Sequence, residues 1–130
     1  MPDSAQFFKD CVCTLDSVDS EGKLTDMASA TEEAILRMLD QKGVQVEQTL
    51  QEIKDNVEFK LPFSSRTKRS TVAIRDAKTR SIRVVMKGNI EYLLRMGYCN
   101  RMVSADGSVV DLTEAKTEEI LQTLNEYAMK

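Results

Sequence analysis

The stretch Leu61–Val72, with the sequence LPFSSRTKRSTV, decides the fold together with Lys87-Gly88 about twenty residues later. Pro62 tips a turn, Phe63 presents one aromatic ring, and several cations follow directly. Because proline cannot donate a ladder hydrogen bond, Pro62 predicts the end or the edge of a strand. The chain then returns through a β-hairpin and places Lys87 at a strand end beside a glycine. This arrangement would suit a nucleobase and its phosphates.

The residues alone leave two interpretations of this stretch open. In the first, Phe63 stacks on a nucleobase, worth roughly 1–3 kcal/mol in other base–aromatic contacts, while Lys68, Arg69 and Lys87 hold negative charge. In the second, Phe63 packs into a core next to a solvated basic hairpin, as most aromatic residues at strand ends do.

Length and composition predict a single domain that folds alone. The chain has 130 residues, of which 42% are hydrophobic, enough for one core. It has no apolar run of the ~18–20 residues that cross a bilayer and no leader with a cleavage site, so we expect a soluble, cytosolic chain. We expect Cys11, Cys13 and Cys99 to be reduced packing residues. With no histidine, a zinc site and histidine-based catalysis are not expected.

The charge is unevenly distributed along the chain. Residues 66–87 carry eight cations and one acid, a local charge of +7 in a chain of −3, so the other residues carry −10. The cations are Arg66, Lys68, Arg69, Arg75, Lys78, Arg80, Arg83 and Lys87. A basic element within an acidic domain favours a polyanionic ligand held at one place. RNA binding is a weaker interpretation, because only 5% of the residues are aromatic.

Hydrophobic periodicity predicts an α+β fold with a mainly antiparallel sheet flanked by helices. Helices are expected over about 5–15, from the cap at Ser29 to Gly43, over about 46–56, over 89–96, and after the cap at Thr113. Strands are expected over 57–61, around Val72 and Ile74 before a turn at 76–79, from about Ile82 to Lys87, and as a short pair around the turn at 105–107.

Alternation along the third strand predicts which way its side chains point. If Ile82, Val84 and Met86 face the core helices, Lys87 faces the ligand side, and reversing its charge should disturb ligand binding more than stability. Gly88 lets the backbone turn closely from the strand into the next helix.

A known family shares this order of motifs. The chain resembles the nucleotide-binding domain of P-type ion-pumping ATPases over about residues 7–130, with an aromatic residue, a lysine five residues later, and a later lysine-glycine pair. The matching segments are Pro62-Phe63-Ser64-Ser65, Lys68, Ser70-Thr71-Val72, Val85-Met86-Lys87-Gly88, Glu91 and, upstream, Ala30–Leu36. The chain departs from the family at Asn89, where alanine is usual, and at Ala28-Ser29, where glycine and an acid are frequent.

The resemblance implies that the ligand is ATP. Phe63 would stack on the adenine, Lys87 would lie in the pocket floor, Lys68 would contact the nucleotide, and Glu32 would accept a hydrogen bond from the adenine amino group. Arg69 and Gly88 complete the predicted nucleotide-binding set. Glu32 has a second interpretation, in which a Ser29-x-x-Glu32 capping box folds its carboxylate back on the Ser29 amide.

The resemblance also implies a larger parent protein. The chain lacks the aspartate-lysine-threonine-glycine-threonine segment that P-type pumps phosphorylate, so no catalytic residue is assigned and the chain alone should be inactive. We expect a cytosolic domain excised from an integral membrane pump, with the phosphorylation and actuator domains of the parent as partners and Mg²⁺ needed in the full-length protein. A cation, with calcium as the first candidate, is the expected cargo. A lipid-flipping relative and a non-enzymatic basic interaction module are the alternatives.

Overall fold

A computed structural model describes residues 4–26 and 28–130. The described residues fall into two compact units, of which the first ends at Gly88 and the second is Asn89–Lys130. The structure combines helices with antiparallel sheets, which confirms the predicted α+β class.

Three helices open the first unit. They are α1 (Ser4–Cys13), α2 (Ala30–Gln41) and α3 (Val46–Ile53). The hydroxyl of Ser29 accepts a hydrogen bond from the Glu32 amide and caps α2. Gly43 has φ +73 just beyond the end of α2, a conformation that glycine adopts without steric cost.

A three-stranded antiparallel sheet follows, with the strand order β1-β2-β3. Its strands are β1 (Val57–Leu61), β2 (Arg69–Arg75) and β3 (Ile82–Gly88). Phe59 pairs with Ala73, and Ser70 pairs with Lys87. The side chain of Asp76 accepts from the amides of Lys78 and Thr79 and so fixes the turn between β2 and β3.

The face of β3 that packs against the helices is the opposite of the face that alternation predicts. Ile82 and Val84 are 51% and 60% exposed, whereas Val85 packs against the cluster of Cys13, Val72 and Ile74. The prediction was wrong because both faces of β3 carry apolar residues. Arg83 and Lys87 find carboxylate partners on the helix side, so their ion pairs decide the orientation.

Two small hydrophobic clusters form the core of the first unit. Val12, Leu15 and Leu39 join α1 to α2, and Cys13, Val72 and Ile74 join α1 to the sheet. Arg83 adds a bidentate pair with Asp10 of α1, with both contacts at 2.9 Å. The end of α1 is therefore held against β3 by packing and by charge.

The second unit contains two helices and a hairpin. They are α4 (Ile90–Arg95), β4 (Arg101–Val103), β5 (Val109–Asp111) and α5 (Glu114–Ala128). Asn89 caps α4 by accepting from the Tyr92 amide, and Thr113 caps α5. These elements match the predicted ones closely. Among the described residues, none of the helices combines the length and the hydrophobicity that a membrane span requires.

Gly88 is predicted to be intolerant of any side chain. A Cβ atom at this position would lie 2.6 Å from the carbonyl oxygen of Lys68 and 2.9 Å from the Cβ atom of Arg69. Since a backbone carbonyl cannot move away without disturbing the pairing of β2 with β3, Gly88→Ala should lower the free energy of unfolding by roughly 1–3 kcal/mol. Urea denaturation measures the loss. Ser65→Ala, a change at an exposed residue of the connection between β1 and β2, is the control, and equal stability of the two variants would contradict the prediction.

Candidate functional site

Glu32 is a buried carboxylate near the start of α2, with 5% of its surface exposed. Its two oxygens accept hydrogen bonds from the amides of Asp16 and Ser17, each at 2.7 Å. The predicted capping box is therefore only half formed. Ser29 caps the helix as expected, but the Glu32 carboxylate does not fold back on the Ser29 amide, because donors from the segment after α1 occupy it.

Lys87 is the charged partner of Glu32. Its ammonium group donates to a Glu32 carboxylate oxygen at 2.5 Å and to the carbonyl oxygen of Thr14 at 2.9 Å. The Lys87 side chain is 21% exposed. Thr14 lies directly after the C-terminus of α1, where carbonyl groups lack helical partners and a cation is favourable. One ion pair thus joins the end of β3, the end of α1 and the start of α2.

The surroundings of Glu32 favour its ionised form. Burial by itself would raise the pKa of Glu32, but hydrogen bonds from Lys87, Asp16 and Ser17, with the positive charge of Lys87, outweigh burial and lower the pKa below its usual 4.5. Glu32 is therefore an anion at neutral pH and acts as a hydrogen-bond acceptor in the site.

Phe63 lies beyond the end of β1 with about half of its surface exposed. It is not a core residue, so the packing interpretation of this aromatic ring is wrong. The Phe63 amide donates to a carboxylate oxygen of Asp16 at 3.1 Å, and the Asp16 amide donates to Glu32. Phe63 is thus connected to the Glu32–Lys87 pair through a single residue.

The other predicted site residues lie where β2 begins and β3 ends. Arg69 pairs with Gly88 across the sheet, next to the pairing of Ser70 with Lys87. Lys68 is exposed and has φ 59, and its carbonyl lies against Gly88. The structure therefore brings Lys68, Arg69, Lys87 and Gly88 to one end of the sheet, and Glu32 joins them through Lys87.

Sequence reasoning missed Asp16 and Lys60. The Lys60 ammonium group donates to the carbonyl oxygen of Leu15 and lies 3.6 Å from Asp16 Oδ1. In the sequence, Asp16 is one of 21 acidic residues and stands after a helix, where aspartate is a common turn residue. No spacing in the sequence signals that the chain returns to Asp16 at Phe63, 47 residues later.

An open depression of about 510 Å³ lies elsewhere in the first unit, beside the C-terminal half of α2. Its charged lining residues are Glu21, Glu33, Asp40, Glu47 and a single cation, Arg37. This acidic lining would repel a polyphosphate. Exposed Lys68 at the end of the sheet would instead attract one, whereas the charge of Lys87 is already paired with Glu32.

Comparison with known proteins gives a consistent result. Residues 6–130 match the family model described as P-type ATPase, cytoplasmic domain N. The chain is 35% identical over 111 residues to a probable calcium-transporting ATPase 8, plasma membrane-type, of Oryza sativa subsp. japonica, and 36% identical to the probable calcium-transporting ATPase 9 of that plant. Each match covers 85% of this chain and 10% of the relative. The chain therefore spans about a tenth of the length of these curated relatives.

The ion pair of Lys87 changes what is expected of a charge reversal. Lys87→Glu would place a second carboxylate beside buried Glu32, so the free energy of unfolding should fall by roughly 3–5 kcal/mol, as when other buried pairs are broken. Urea denaturation measures this fall. Lys78→Glu, the same change in the exposed turn between β2 and β3, is the control and should cost far less. A Lys87→Glu variant as stable as the control would show that the pair does not hold the fold.

The lowered pKa of Glu32 predicts how stability depends on pH. A carboxyl group with a lowered folded pKa stabilises the fold fully above its unfolded pKa, near 4.5, and this contribution is lost as the pH falls through the lower folded value. The stability advantage of the wild type over Glu32→Gln should be largest at pH 7 and should shrink below pH 4.5. Thermal unfolding between pH 7 and pH 3 measures this difference.

Glu33→Gln is the matched control for the pH experiment, because Glu33 is the next residue of α2 and its side chain is 56% exposed. The difference in stability between Glu33→Gln and the wild type should stay small at every pH between 7 and 3. If the loss of stability in Glu32→Gln does not change with pH, Glu32 is not an ionised, hydrogen-bonded carboxylate in the folded chain.

Proposed function

The chain belongs to the family of P-type ATPase cytoplasmic N domains, and we propose that it binds an adenine nucleotide. The proposed site lies at the end of the sheet and consists of Phe63, Glu32 and Lys87. The observation that carries the proposal is the half-exposed ring of Phe63. It is attached through Asp16 to a buried ion pair and lies in the chain directly before a group of cations.

Phe63 supplies the surface on which the adenine stacks. A half-exposed phenylalanine leaves apolar area in contact with water, and a flat base that covers the ring removes this area. Stacking of this kind is worth roughly 1–3 kcal/mol per base. It also tolerates different bases, so specificity for adenine requires a hydrogen-bonding group nearby.

Glu32 supplies that group. An ionised carboxylate has about four acceptor positions, and the amides of Asp16 and Ser17 and the ammonium group of Lys87 use three. The remaining position accepts the amino group of adenine, which guanine lacks at the corresponding carbon. Lys87 keeps the carboxylate ionised and oriented and forms the floor of the site.

The phosphates extend toward the cations at the start of β2. Lys68 is exposed there and Arg69 is partly exposed, so both attract negative charge through solvent without enclosing it. Gly88 leaves room beside the Lys68 carbonyl. Mg²⁺ accompanies the phosphates in the full-length protein, and its protein ligands lie outside this chain.

In the parent protein, the domain presents the γ-phosphate to an aspartate of a separate phosphorylation domain, where in-line transfer depends on positioning and charge stabilisation. The parent is an ATP-driven cation pump in a membrane, with its actuator and phosphorylation domains as partners of this domain. The names of the matched relatives favour calcium as the cargo. This chain alone should not hydrolyse ATP.

Phe63→Ala is predicted to weaken ATP binding by roughly 1–3 kcal/mol without unfolding the chain, because the substitution removes a stacking surface that is not part of the core. NMR titration with ATP, which suits dissociation constants of millimolar and above, measures the affinity, and circular dichroism monitors the fold. Phe59→Ala is the matched control. Phe59 is as exposed as Phe63, at 50% against 51%, but it lies within β1 and is not one of the proposed site residues. ATP affinity that is unchanged in Phe63→Ala, or equally reduced in both variants, would refute the stacking role.

A further inference from the structure

Asp16 is mostly buried beside the proposed nucleotide site, but it is not one of the residues that would contact the nucleotide. One of its carboxylate oxygens accepts from the Phe63 amide at 3.1 Å. The other is buried, has no hydrogen-bond partner among the described residues and lies 3.6 Å from the Lys60 ammonium group. The side chain is only 16% exposed. A mostly buried carboxylate is costly unless it is paired, and the Lys60 ammonium group and the Phe63 amide are the partners that offset this cost.

The contacts of Asp16 extend in two directions. Its backbone amide donates to Glu32, the proposed adenine acceptor, and its side chain holds the backbone of Phe63, the proposed stacking residue. The paired part of β1 ends at Leu61, two residues before Phe63. Past that point the sheet ladder no longer fixes the backbone, and the bond to Asp16 takes over this role.

We propose that Asp16 is a positioning residue for the nucleotide site: it fixes the distance and orientation of Phe63 relative to Glu32, so that one adenine ring can meet both. This inference rests on the proposed function. Asp16 does not touch the nucleotide in this scheme, because its remaining oxygen is buried against Lys60. Lys60, itself anchored on the Leu15 carbonyl, pairs with one carboxylate oxygen of Asp16 and leaves the other to accept from the Phe63 amide.

A double-mutant cycle tests the proposal. Asp16→Ala should weaken ATP binding by about tenfold, the equivalent of one hydrogen bond to a charged group, and never by more than Phe63→Ala. In the Phe63→Ala background the same substitution should have no further effect, since the ring that it positions is gone. NMR titration with ATP, which reaches dissociation constants of millimolar and above, supplies the four affinities.

A second readout does not require nucleotide. In NMR spectra of the free chain, the Phe63 amide proton should move upfield and exchange faster in Asp16→Ala, because it loses a carboxylate acceptor. Asp10→Ala is the matched control: it removes the carboxylate that pairs with Arg83, also largely buried at 22% exposure. The control should lower stability yet leave both the Phe63 amide and the ATP affinity unchanged.

The outcomes separate this inference from the proposed function. If the wild type binds ATP but Asp16→Ala binds as tightly, or loses the same affinity in both backgrounds, Asp16 is not a positioning residue and the nucleotide site stands. If the wild type binds no ATP, the proposed function fails and the positioning role fails with it. If Asp16→Ala does not fold, Asp16→Asn replaces it in the cycle. Asparagine keeps a weaker acceptor for Phe63, and a smaller loss, again absent in the Phe63→Ala background, is expected.

Discussion

The buried ion pair between Glu32 and Lys87 is the contact on which the first unit depends. It is the point where α1, α2 and β3 meet, because Lys87 also donates to Thr14 and Glu32 also accepts from Asp16 and Ser17. Removing either charge would leave the other buried without its partner, which costs far more than a surface pair contributes. The same two residues form the floor of the proposed adenine site, so stability and binding share one set of atoms.

The parts of the molecule that depend on local chemistry could be predicted from the sequence. The caps at Ser29 and Thr113 and the glycine after α2 mark helix boundaries within a few residues of the observed ones. Alternation between apolar and polar residues located β1, β2 and β3, and Pro62 marked the end of β1. The predicted site residues Lys68, Arg69, Lys87 and Gly88 lie together because the hairpin register, a local property, aligns them.

The rest depends on contacts between residues far apart in the chain. Alternation predicted the wrong buried face for β3 because both faces carry apolar residues. The ion pairs of Arg83 with Asp10 and of Lys87 with Glu32 decide which face packs against the helices. The capping box gave the wrong partner for Glu32 because amides 15 and 16 residues earlier compete for the carboxylate. No local pattern in the sequence indicated that Asp16 contacts Phe63. Each of these outcomes requires the packing of α1 against the sheet, which no local pattern contains.

The most direct test of nucleotide recognition at this site is an NMR titration of the chain with AMP, ADP and ATP, each with and without Mg²⁺. If Phe63 and Glu32 hold the adenine while the phosphates meet only solvent-exposed cations, the three nucleotides should bind with similar affinity, about millimolar. The largest shifts should fall on Phe63, Glu32 and Lys87, and Mg²⁺ should have little effect. A hundred-fold preference for Mg·ATP, or shifts confined to the acidic depression beside α2, would contradict an adenine-directed site at this end of the sheet.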